Sequence, residues 1–138
     1  MRRPASIIFG IALLACAGGA ASAGTAKGHH KEVVAARPTG KPVSCIPLHS
    51  IRETRVRDDR TIDFITNAGR NKAYRNTLPH SCPQLGFEER FLYKTSLSQL
   101  CSTDIITVLT SSGPGLSRGA SCGLGEFQPV ELAKKPGK

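Results

Sequence analysis

The chain has no tryptophan, and its 138 residues include only two tyrosines and five phenylalanines. Phe9 lies in the first apolar run, so Tyr74, Tyr93 and four phenylalanines remain to build a core. Proteins that hold single strands by base stacking need spare aromatic rings. This chain has none to spare, which speaks against specific nucleic-acid recognition. No Cys-x-x-Cys pair occurs, so the usual knuckle of a structural zinc site is missing, and no metal or cofactor is expected. No apolar run is long enough for a helix that must cross about 30 Å of hydrocarbon. The mature chain is therefore expected to lack a transmembrane segment. No internal repeat, no phosphate-cradling loop and no Ser-His-Asp pattern can be read from the spacing. Gly113-Pro114-Gly115 lacks the strand-to-helix setting of a phosphate loop.

The first 23 residues are the most informative part of what is present. Met1-Arg2-Arg3 is a basic start, Ile7–Cys16 is a short apolar run, and Ala21-Ser22-Ala23 is a small-x-small cleavage site. Together they read as a bacterial-type export signal over residues 1–23. The expected location is periplasmic or secreted. Leu13-Leu14-Ala15-Cys16 supports a second route, lipidation at Cys16 and anchoring to the outer membrane. Either way four cysteines remain: Cys45, Cys82, Cys101 and Cys122. An even number in an exported chain favours two disulfides, each worth about 2–4 kcal/mol to a small domain. The expected pairing nests Cys82–Cys101 inside Cys45–Cys122.

Basic residues outnumber acidic ones, 19 to 10, for a formal charge of +9. Much of the excess sits outside the central stretch. Residues 24–44 carry four cations against Glu32, and residues 131–138 carry three against Glu131. These two stretches read as a flexible, disordered N-terminal linker and a basic tail. Basic tails loosely favour an anionic component of the envelope as partner. His29-His30 falls in the linker and reads as solvated chain.

Residues 45–130 read as one mainly β domain, a small twisted antiparallel sheet or compact barrel stapled by disulfides. Ser50–Arg57 is extended, and Asp58-Asp59-Arg60 supplies turn chemistry. Thr61–Ile65 alternates, with Ile62 and Phe64 on one face and Asp63 on the other. After a turn at Asn67-Ala68-Gly69, Lys72–Asn76 completes a meander. Arg90–Lys94 is a further strand. Asp104–Thr110, apolar on both parities, is the expected central buried strand. A short helical turn is expected over 96–101, a loop over 111–119, and a closing strand over 122–130. Gly123 and Gly125 in the last suggest a bulge or a close backbone approach.

The Cys45-Ile46 opening, Leu100-Cys101-Ser102-Thr103-Asp104-Ile105 and the ending Cys122-Gly123-Leu124-Gly125-Glu126-Phe127 resemble a family of small exported proteobacterial proteins whose domain has no assigned function. The resemblance covers about Cys45–Val130. It implies an envelope or secreted location and carries over no activity and no site residues.

The best binding hint is a run of arginines. Arg55 and Arg57 share a strand face, whereas Arg52 falls on the other face of an unbroken strand. With Arg70, Lys72 and Arg75 on the following segments, Arg55 and Arg57 could form a patch for phosphate or acidic polymers. Glu53, Asp58, Asp59 and Asp63 are interleaved, so cross-strand ion pairs are an equal alternative. For an enzyme, the available groups are Asp104, Glu88 and His80, acting as a hydrolase on an envelope polymer. Asp58-Asp59 is better explained as a turn, and Asp104 as a loop tie through backbone N–H groups. No catalytic set is assigned. A binding or structural module is the reading the sequence favours.

Overall fold

The structure, a computed structural model, describes residues 33–95 and 97–134. The signal, Cys16, the first part of the linker and the last four residues lie outside the described residues.

The chain is mainly β and antiparallel, as expected, with ten strands in three sheets among the described residues. The largest sheet has the order β1-β10-β5-β4-β3, with β1 at Ala36–Pro38, β3 at Ile51–Val56, β4 at Thr61–Thr66, β5 at Lys72–Thr77 and β10 at Phe127–Leu132. β6 (Phe91–Tyr93), β8 (Ile105–Thr110) and β9 (Ser117–Gly123) form the second sheet. β2 (Cys45–Pro47) and β7 (Gln99–Cys101) form the third. The α-helix α1 is one turn, Leu85–Glu88. Among the described residues no helix is long and apolar enough to cross a membrane.

The meander β3-β4-β5 forms where the alternation and turn residues place it. Asp58 Oδ1 accepts the Arg60 N–H at 2.7 Å, and the Arg57 N–H reaches the Thr61 carbonyl at 2.8 Å. The Asp58-Asp59 turn expected from the sequence is therefore present, with a side-chain acceptor satisfying the turn's backbone. Asp59 has a further task. Its Oδ1 accepts the Gly86 N–H at 2.8 Å and ties α1 to the turn.

Strand parity builds two clusters on the two faces of the large sheet. Ile62 and Phe64 point into the main core, with Ile46, Leu100, Ile106, Val108 and Phe127. Phe64 meets Phe127 edge-on, ring centroids 5.6 Å apart. Burying side chains of this size stabilises by about 1.5–3 kcal/mol each. On the opposite face Ile65, Ala73, Val130 and Leu132 form a smaller cluster beneath Val34 and Ala36.

Several expectations are corrected. β4, not the 104–110 strand, is buried along its whole length. β8 is central to its own sheet but buries one face only, through Ile106 and Val108. The helical spacing over 96–101 misleads, because Gln99–Cys101 is a strand held by β2. The loop over 111–119 ends early, since Ser117–Gly123 pairs with β8. The closing strand is two strands separated at Leu124–Glu126. There Asn76, fully buried, donates from Nδ2 to the Gly125 carbonyl at 2.6 Å and accepts the Gly125 N–H at 2.9 Å. A Cβ on Gly125 would collide with the Thr77 carbonyl oxygen, so Gly125 marks the close approach that its position suggests.

Both domain boundaries move outward. Ala36–Pro38 pairs with Val130–Leu132, Val43 bridges to Phe127, and the Ala133 N–H reaches the Ala35 carbonyl at 2.8 Å. The linker expected over 24–44 therefore includes structured chain from Ala36 on. Glu131 and Leu132, expected to open the basic tail, belong to β10, and Leu132 is buried. Arg37, counted as tail charge, pairs with Glu131 at 3.0 Å.

Two disulfides are present, with a different pairing from the nested one. Cys45 bonds Cys101, and Cys82 bonds Cys122, at Cα separations of 4.0 and 5.8 Å. Cys45 and Cys101 are directly opposite in the β2–β7 ladder. Cys82 is buried in the main core, where Cys122 packs against it. Spatial register decides the pairing, and nesting along the sequence does not.

Candidate anion-binding groove

Asp63 sits in the middle of β4, opposite Arg55 on β3 and Arg75 on β5. Its carboxylate is completely buried. Arg57 Nε donates to Oδ2 at 2.7 Å. Arg75 donates from Nε to Oδ1 at 2.7 Å and from Nη2 to Oδ2 at 2.9 Å. A second bond from Arg75 Nη2 reaches the Val34 carbonyl at 2.9 Å, so the N-terminal arm closes over this pair. A buried carboxylate is tolerable only with such partners.

Above this layer lies a groove of about 470 Å³. Arg52, Arg55, Arg57 and Arg70 line it together with Asn71, and its apolar wall is Val34, Leu132 and Ala133. The presence of Arg52 has a local cause. β3 carries a bulge: Ile51 pairs with Thr66 and Glu53 with Ile65, leaving Arg52 as the extra residue. A bulge resets the alternation of side chains. Arg52 therefore joins Arg55 and Arg57, where an unbroken strand would have sent it to the other face. Arg70 and Asn71 come from the turn between β4 and β5.

The four arginines are not equivalent. Arg57 is held by Asp63 through Nε, with its side chain 14% exposed, and its terminal amino groups form no hydrogen bond among the described residues. Arg55 forms a two-pronged pair with Glu53, Nε to Oε1 at 2.8 Å and Nη2 to Oε2 at 3.0 Å. Both partners of that pair are nearly half exposed. Arg52 and Arg70 make no ion pair among the described residues. The hydrogen bond from Arg55 lowers the Glu53 pKa below its ordinary value of 4.5; desolvation opposes this, and the charges of Arg55, Arg52 and Arg57 add to the lowering. The same bond raises the Arg55 pKa. With Arg75 included, five guanidiniums face two carboxylates, Glu53 and Asp63.

Of the patch residues expected from the sequence, Arg55, Arg57 and Arg70 meet in the groove. Arg75 lies beneath it, committed to Asp63 and Val34. Lys72 does not belong to it. Ala73 pairs with Ile65, so Lys72 falls on the alternate face, where it lines a different groove with Thr66 and Pro129. The cross-strand and local ion-pair reading holds for Arg55, Arg57 and Arg75, whereas Arg52 and Arg70 make no ion pair among the described residues. Sequence parity missed Arg52 because nothing in Ile51-Arg52-Glu53 announces a bulge. It missed Val34 because the arm lacks an alternating pattern.

The groups considered for hydrolysis do not converge. Asp104 Oδ2 accepts the Cys101 N–H at 2.7 Å, the loop tie expected of it. The groove it lines, with Tyr93 and Ile105, contains neither Glu88 nor His80. Glu88 accepts the Ser111 N–H at 3.2 Å and lies 3.5 Å from Arg90. His80 stands exposed in the segment before Cys82. Comparison with protein-family models, with curated proteins and with solved structures finds no match to the chain.

Proposed function

We propose that this protein is an exported, disulfide-stapled binding module of a bacterial envelope that engages an anionic envelope component through the arginine groove. The signal-like first 23 residues and the two disulfides support the compartment, periplasmic or secreted, with lipid anchoring through Cys16 as the alternative route. The observation that carries the binding reading is the convergence of four arginines on one groove, two of them without an ion pair among the described residues. Guanidinium groups present several N–H donors in a fixed plane and suit phosphate and carboxylate oxygens. A hydrolase finds less support, because Asp104 and Glu88 each accept a backbone N–H in a separate part of the fold, Cys101 for Asp104 and Ser111 for Glu88.

The test is Arg52→Ser with Arg70→Ser in the mature chain, tails intact. The probe is fluorescently labelled inorganic polyphosphate, read by anisotropy across a salt series. Neither arginine holds the fold, so the thermal midpoint should stay near wild type. Affinity at low salt should fall about tenfold or more, and the wild-type affinity should weaken as salt screens the contacts. Unchanged affinity in the double variant would place whatever binding exists in the tails and overturn the reading.

A further inference from the structure

We propose that Glu53 is an internal occupant of the groove: its carboxylate holds Arg55 until an anionic group of the ligand, with two adjacent oxygens, takes Arg55 from it. This rests on the groove being the binding site and goes further, assigning the groove a resident competitor and its ligand a shape. The Arg55–Glu53 pair has the geometry that such a ligand would copy. Nε and Nη2 each face one carboxylate oxygen, at 2.8 and 3.0 Å. Two oxygens on one carbon or one phosphorus can accept the same pair of N–H bonds.

Exposure decides which of the two carboxylates can be displaced. Asp63 is wholly buried and held by three N–H donors, so a ligand cannot replace it without opening the sheet. Glu53 is 45% exposed and its partner 44%, on an edge strand. An exposed pair is easily exchanged, because water and a second anion compensate the parting groups. Glu53 itself is not part of the groove lining, so on release it can turn to solvent while Arg55 remains in place. Its lowered pKa keeps it ionised, and so able to hold Arg55, throughout the neutral range. The groove then contains one fixed cation, Arg57, two without an ion pair among the described residues, Arg52 and Arg70, and one that is released by exchange.

The experiment is a double-mutant cycle of Glu53→Gln and Arg55→Ser in the mature chain. Two labelled probes, inorganic polyphosphate and poly-glutamate, separate phosphate from carboxylate as the source of the oxygens. Glu53→Gln should tighten binding of at least one probe about 3- to 10-fold, the scale of removing one nearby like charge at a solvated site. That gain should vanish when Arg55 is also serine. A gain of equal size with Arg55→Ser would reduce Glu53 to a general repulsive charge and overturn the proposal. If Glu53→Gln changes nothing while Arg52→Ser with Arg70→Ser still abolishes binding, the groove stands and the occupant does not. If neither set of changes alters affinity, both readings fail. Thermal midpoints near wild type for all three cycle variants establish that each is folded.

Discussion

Replacing Asp63 by asparagine keeps its size and removes the charge that two guanidiniums share. The structure sets the scale of the cost. Three charge-assisted bonds, at 2.7, 2.7 and 2.9 Å, converge on a carboxylate with no exposure. Arg57 and Arg75 are 14% and 16% exposed, so once unpaired they recover only part of their hydration. Breaking one side of a buried pair costs about 3–5 kcal/mol. The residual exposure of both arginines places Asp63→Asn near the lower end, about 3 kcal/mol. A domain of this size loses about 4–8 °C of midpoint per kcal/mol, so the melting temperature should fall by about 12–24 °C. Urea denaturation at pH 7, with the disulfides intact, measures the free energy directly. A loss under about 1 kcal/mol would refute the reasoning, since it would mean that water reaches both guanidiniums or that they find other acceptors. A second variant identifies the cause. Asp63→Leu combined with Arg57→Met and Arg75→Met should recover much of the loss, because apolar side chains can replace a buried ion set at little net cost. Failure to recover would show that packing on β4, and not unpaired charge, governs the site.

Peptide mapping without reduction should recover Cys45–Cys101 and Cys82–Cys122; a Cys45–Cys122 peptide would contradict the β2–β7 register. Reducing both bridges, which span 56 and 40 residues, should remove about 4 kcal/mol each by loop entropy, seen as a lower urea midpoint. Asn76→Ala should cost about 2 kcal/mol in the same assay, because it strands both polar groups of the Gly125 backbone; a cost below about 0.5 kcal/mol would show that water takes over both bonds.

How much could be read in advance depends on where each cause lies. The parity of Ile62, Asp63 and Phe64 is local, and it assigns the faces of β4 correctly. The burial of Asp63 is not local: its cover comes from Arg75 on the next strand and from Val34 in the arm, joined by the Val34 carbonyl. β9 was illegible for a related reason. Ser117-Arg118-Gly119-Ala120-Ser121 has no β-branched or aromatic side chain, and it is extended because β8 pairs with it. Context of this kind commonly outweighs strand propensity. Leu97, Leu100 and Cys101 fall at helical spacing by chance, while the Cys45–Cys101 pair holds that segment as a strand. At the groove, Arg55, Arg57 and Arg70 were legible as cations on neighbouring segments. Arg52 was not, because one extra residue in β3 reverses its side, and no rule of composition marks where a strand takes up an extra residue.

The bulge and charges of β3 also have a simpler use. An edge strand offers unpaired backbone to other chains, and bulges and charged side chains keep such edges from pairing. β3 is the edge of the large sheet, and Arg52, Glu53 and Arg55 are exposed along it. Edge protection accounts for that much. It does not require Arg70, which comes from the turn between β4 and β5 and lies off the edge, to line the same groove. Nor does it require Arg57 to be fixed from beneath by a buried carboxylate, with its terminal amino groups unbonded among the described residues. A charge that only discourages pairing works best when it is mobile and solvated. Here three segments bring guanidiniums or their anchor to one concavity: β3, the β4–β5 turn, and β4 through Asp63. Convergence from separate segments, with one member immobilised, is the arrangement that a bound anion rewards and that an unpaired edge has no use for.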